Sequence, residues 1–157
     1  MKWKKVGLPI VFIIIFGLGI WGFRIDKIRQ QEEDIGVSLD NELLEYFISQ
    51  YPDNKVLKCG YEDVNDDGRK DLVVIYYKAK RSNGMVVILD KGDKYEITEE
   101  VPAPIENQTI EFKDIDDTGP IEFIVSGSKD GRFGYAIFRV EGLESINLFG
   151  EGMEDCC

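Results

Sequence analysis

"CGYEDVNDDGRKDLVVIYY" (59–77) is matched 51 positions later by "IEFKDIDDTGPIEFIVSGS" (110–128). Tyr61 corresponds to Phe112, Asp63 to Asp114, Gly68 to Gly119 and Asp71 to Glu122, and "LVV" corresponds to "FIV". After one deletion, "GMVVILDKG" (84–92) matches "GYAIFRVEG" (134–142) at a spacing of 50. A period of this length, built from short apolar runs with turn residues between them, marks a duplicated β unit. Each copy reads as strand, acidic turn, strand, hairpin, strand, strand. The first copy places strands at about 56–62, 71–79, 85–90 and 94–101; the second at about 109–113, 121–127, 133–140 and 144–149. "SNG", "KGD" and "KDG" are the expected hairpin turns, and "VPAP" (101–104) the joint between copies.

Four antiparallel strands per copy resemble a propeller blade. Two blades cannot close a propeller, so two small sheets packed on each other are expected. A helix closes the face left open. "SLDNELLEYFISQYP" (38–52) supplies it: Ser38 or Asp40 caps, Leu43, Leu44, Phe47, Ile48 and Tyr51 share one face, and Pro52 stops it. Strand alternation points Cys59, Tyr61, Ile110 and Phe112 inward, which makes Cys59 a buried, inert thiol.

The acidic turns carry the first candidate site. Asp63, Asn65, Asp67 and Asp71 follow a D-x-N-x-D-G-x-x-D order, with Gly68 at the bend. Alternating oxygen side chains that converge on one point suit Ca²⁺, and the carbonyl of Arg69 adds a further ligand. An Asx-rich hairpin without metal is the competing reading. An EF-hand would need a Glu twelve positions in, and Val74 stands there. The turn resembles the strand-loop-strand calcium loops of FG-GAP type. Asp114, Asp116, Thr118 and Glu122 form a weaker counterpart, because Thr118 is neutral and Glu122 longer. Such an ion would hold the fold and is not evidence of catalysis.

Composition narrows the function classes. The chain has 157 residues, 30 acidic against 19 basic side chains, and no histidine. The acidic balance excludes nucleic acid as a partner. The missing histidine removes the commonest general base and metal ligand together. No phosphate loop and no nucleophile elbow is present, so the chain reads as a non-enzyme.

The charge is also divided. Residues 1–29 carry a net +5 and the remainder −16. Within the basic part, "VGLPIVFIIIFGLGIWGF" (6–23) runs 18 residues without a charge, enough to span a bilayer. Trp3 and Trp21 sit where indoles favour the interface. A cleaved signal would want a shorter apolar core and an A-x-A-like site, and "WGFRIDKIRQ" offers none. Lys2, Lys4 and Lys5 place the short N-terminus inside. The expected organisation is a cytoplasmic stub and transmembrane anchor over 1–29. An extracytoplasmic β-repeat domain over 30–149 follows, with repeats at about 56–101 and 109–149, and then a flexible dithiol tail over 150–157. The fold is thus mainly β: one transmembrane helix, one short amphipathic helix and two blade-like four-stranded repeats. The location is the cell membrane, single-pass, with the acidic domain outside the cytoplasm.

The tail, "GEGMEDCC" (150–157), carries the second candidate site, Cys156 and Cys157. Adjacent cysteines make a strained disulfide, since their Cα atoms lie ~3.8 Å apart against a relaxed ~4.4–6.8 Å. Glu154, Asp155 and the terminal carboxylate raise the thiol pKa, which disfavours a fast redox nucleophile. A soft ion displaces the protons itself, so two thiolates without histidine suit Hg²⁺, an organomercurial or Cu⁺ better than zinc. The anchor, small body and terminal Cys-Cys resemble the Cys-Cys-COOH (seleno)protein SaoC family, associated with selenocysteine-assisted organometallic transport. The resemblance implies a membrane-tethered protein that captures or hands over a soft metal or organometal as cargo. It also implies a transporter or permease component as partner. Competing readings are a thiol–disulfide exchange protein and a calcium-stabilised interaction module.

Overall fold

The computed structural model describes residues 24–32 and 34–152. The expected spanning segment 6–23 and both tail cysteines lie outside the described residues. The chain divides into two units, Met1–Asp34 and Ile35–Cys157. In the first unit, residues 24–32 are helical, with Ile25 and Ile28 exposed. Among the described residues no helix is long and apolar enough to cross a membrane.

The second unit opens with the helix Glu42–Gln50. Its cap is Asn41, neither Ser38 nor Asp40: the Asn41 side chain accepts from Leu44 N at 3.0 Å. Ser38 instead donates its hydroxyl to Asp40. Leu43, Leu44 and Phe47 are buried as expected, but Ile48 is 48% exposed and falls off the packed face. Burying Leu44 and Phe47 contributes about 1.5–3 kcal/mol each.

Among the described residues nine strands follow, in two antiparallel sheets. The first contains β1 (Lys55–Glu62), β2 (Asp71–Ala79), β3 (Ser82–Asp90), β4 (Tyr95–Ile97) and β5 (Val101–Ala103). The second contains β6 (Glu106–Lys113), β7 (Glu122–Lys129), β8 (Arg132–Glu141) and β9 (Glu144–Glu151). The orders are β1-β2-β3-β4 and β6-β7-β8-β9, and β5 also pairs β3. The fourth strand expected at 94–101 is therefore broken in two, and "VPA" is strand rather than joint. Thr98 explains the break: its hydroxyl takes the Val87 N–H at 2.9 Å in place of a backbone carbonyl. The Glu99 N–H then leaves the sheet for Leu143 O at 2.8 Å.

The first hairpin turn is Lys80–Arg81, three residues before the glycine of "SNG". Arg81 takes the left-handed φ of 62° itself. Gly84 serves another purpose, since a Cβ there would lie 2.8 Å from the Tyr76 ring. Asn83 donates to Pro104 O at 2.7 Å and fixes the joint between the sheets. "KDG" turns as expected, with Asp130 and Gly131 both at positive φ. β9 continues through Glu151, two residues beyond the expected end of the last strand.

The sheets stack face to back. Val73, Ile75, Met85, Val87 and Leu89 of the first sheet meet Phe123, Val125, Ala136, Phe138 and Val140 of the second. The opposite face of the first sheet, through Leu72, Val74, Tyr76, Val86 and Ile88, meets the helix. Leu72 and Val74 are the repeat counterparts of Phe123 and Val125. Equivalent faces thus look the same way along the stack. The first sheet is covered on both faces, which is why β2 opens with an unbroken buried run while β7 and β8 alternate. Of the four side chains expected inward, Cys59 is buried and Ile110 and Phe112 pack on the inter-sheet core. Tyr61 is the exception, 40% exposed with the Lys70 ammonium 5.6 Å above its ring.

Candidate functional site

The two acidic turns join β1 to β2 and β6 to β7. Their backbones agree at Asp66 and Asp117, 51 residues apart and both at φ 58°, and part at the glycine, where Gly68 has φ 84° and Gly119 has no positive φ and precedes a cis Pro120. In the first turn the side chains wind the loop around themselves. Asp63 accepts from Asp67 N at 3.2 Å and from Gly68 N at 2.8 Å. Asn65 accepts from Asp67 N at 3.0 Å, and Asp67 from Arg69 N at 3.0 Å. These are Asx-type bonds, which free the bend from any need for a neighbouring strand. Gly68 holds φ 84°, a conformation that glycine takes at no steric cost.

Asp71 behaves differently. It is fully buried, and its two carboxylate oxygens accept from Val64 N at 3.1 Å and Asp90 N at 2.9 Å. Burial pushes its carboxyl up to about 6, against the pull of these two N–H groups. Asp71 thus ties the start of the turn to the end of β3. Lys91 is the cation of this turn, 3.3 Å from Asp67, whose carboxyl is held low despite its desolvation.

In the second turn Glu122 repeats the anchoring role. It is 1% exposed and accepts from Ile115 N at 2.9 Å, and Ile115 is the counterpart of Val64. Its remaining oxygen receives Arg139, whose Nε lies 2.8 Å away and whose Nη2 also contacts it. The same Nη2 reaches Asp116 at 2.5 Å. Burial opposes ionisation of Glu122, but the Ile115 N–H and the Arg139 guanidinium overcome it and hold the carboxyl below its ordinary range. Asp116 is likewise held low, first by the Thr118 hydroxyl and then by Arg139. Thr118 spends its hydroxyl on Asp116 at 2.5 Å.

Among the described residues, Asp114, Asp116 and Glu122 bring one oxygen each to within 4.8 Å of one another. Asp114 and Asp116 are exposed and Glu122 is buried, a donor set of hard oxygens that suits a divalent ion by chemistry. In the first turn Asp63, Asn65 and Asp67 share the loop, while Asp71 faces the strand ends. Arg139 was not legible from either turn. The repeat held one signal: a charged residue stands in β8 where the first copy has Leu89.

Cys59 lies against the helix, beside Leu72, Val74 and Tyr76 in one buried cluster. Burial pushes its thiol up to about 12, and neighbouring Lys58 opposes this only in part. No family model, curated protein or solved structure matches the chain.

Proposed function

We propose that the chain is a membrane-anchored, extracytoplasmic carrier of a soft metal or organometal of mercury type. Cys156 and Cys157 hold the cargo, and a transporter or permease component receives it. The observation that carries this reading is the division of the thiols. Of three cysteines, Cys59 is buried with its pKa pushed up to about 12. A thiol kept protonated and out of reach is inert toward metals. Soft-metal chemistry then falls to the adjacent pair, in a chain with no histidine to compete for it. A structural Ca²⁺ on Asp63, Asn65, Asp67 and the Arg69 carbonyl belongs to the same reading, as support for the body, with Asp71 holding the turn to β3 through its two N–H bonds.

The test is a titration of the reduced full-length chain with Hg²⁺. One tightly held equivalent is expected, retained in Cys59→Ser and lost in the Cys156→Ser/Cys157→Ser double variant. Stoichiometric binding that survives the double variant would sink the proposal. Alkylation of the native chain is expected to label the adjacent pair and spare Cys59 until the protein is unfolded.

A further inference from the structure

The two acidic turns share the left-handed residue at Asp66 and Asp117 and a buried anchoring carboxylate, Asp71 or Glu122, but have different cations. The first turn faces Leu89 and is approached by Lys91 at one carboxylate. The second has Arg139 at the position of Leu89. Its guanidinium reaches Glu122 and Asp116 together, two of the three carboxylates that converge there.

We propose that Arg139 is the resident cation of the second turn, a tethered substitute for a divalent ion. A guanidinium offers several donors in a fixed plane and keeps its charge at any pH the fold survives. It balances a buried carboxylate that would otherwise stay protonated or draw in a metal. Because it arrives on β8, it also ties the turn to the third strand of its own sheet. The Asp71 anchor of the first turn makes the same tie through the Asp90 N–H at the end of β3. The second sheet therefore holds its turn without metal, and any Ca²⁺ response of the body is confined to the first turn. The inference does not involve the thiols and stands or falls apart from the carrier reading.

The experiment follows the Ile115 amide resonance in the full chain, in chelator and with Ca²⁺ added. In the wild type this resonance should not move with Ca²⁺ up to millimolar concentration. Arg139→Leu, which restores the residue of the first copy, should lose protection at Ile115 in chelator. It should regain it with Ca²⁺, at an affinity at least ~10-fold above any wild-type response at this turn. Arg139→Lys keeps a tethered charge and should stay as indifferent to Ca²⁺ as the wild type. It also serves where Arg139→Leu does not fold. A saturable Ca²⁺ shift at Ile115 in the wild type overturns the proposal. So does Ca²⁺ binding by Arg139→Lys at this turn, or a folded Arg139→Leu that gains none.

Discussion

The two acidic turns solve one problem in two ways. Each must bury a carboxylate at the start of a central strand, because that group takes the first inward N–H of the turn. The first turn uses a short Asp71 and two backbone N–H groups, with its cation, Lys91, on Asp67 instead, and the Asp71 carboxyl is pushed up to about 6. The second uses a longer Glu122, one N–H and an arginine, and its carboxyl is held low. A duplicated unit can keep its anchoring bond while the end of the bend and the electrostatic solution both change, provided the buried N–H still finds an oxygen.

The largest test of this comparison removes the shared oxygen. Asp71→Ala leaves two N–H groups without partners, and an unsatisfied buried donor costs ~1–3 kcal/mol. A loss of about 2–4 kcal/mol in urea unfolding is expected, with Asp71→Asn losing less because its carbonyl oxygen still accepts one bond. An Asp71→Ala chain as stable as wild type would show that the turn does not depend on its anchor.

Acidity should separate the turns next. The Asp71 pKa is raised in the fold, so the native state holds an extra proton between about pH 4 and 6. In that window Asp71 makes stability fall as pH rises. The Glu122 pKa is depressed, so its contribution is present above the unfolded value of about 4.5 and is lost as pH falls through the folded one. Carboxyl NMR titration in chelator should find Asp71 near 6 and Glu122 below its ordinary midpoint. Coincident midpoints would erase the distinction.

The smallest effects concern the bends. Gly68→Ala meets no atom within 4 Å but must hold φ 84°, at a cost of about 1 kcal/mol. Gly119→Ala has no such strain and meets only the movable Asp66 carboxylate at 3.0 Å, so a change within about 0.5 kcal/mol is expected. Equal losses from thermal unfolding of the two variants would mean that the bends are not used differently.

Much of the body was legible because the repeat and the alternation agree. "FIVSGSK" and "RFGYAIFRV" alternate cleanly, and β7 and β8 fall close to where the pattern puts them. What was not legible depends on contacts between distant segments. Thr98 looks like any strand residue, yet its hydroxyl bond to Val87 splits the fourth strand. Asn41 and Asp40 are equal as caps on paper, and the packing of Leu43, Leu44 and Phe47 on the sheet selects the helix start. The Arg139 role is visible only once β8 lies beside β7. Within the candidate sites, Asp71 and Glu122 could be picked out by the repeat, but not their duty to backbone N–H groups.

The face-to-back stacking of the sheets has a consequence for chain growth. An array of this kind has a direction, and nothing in its geometry limits it to two members. Here the two ends differ. The helix shuts the first sheet with Leu43, Leu44 and Phe47. At the other end Ser126 stands for Ile75 and Arg139 for Leu89, yet Phe133 (65% exposed) and Phe149 (52% exposed) leave aromatic surface on that side, joined through Tyr135. The two ends of the stack therefore differ: one is closed by a helix of the chain itself, and the other presents a mixed face of aromatic and charged side chains.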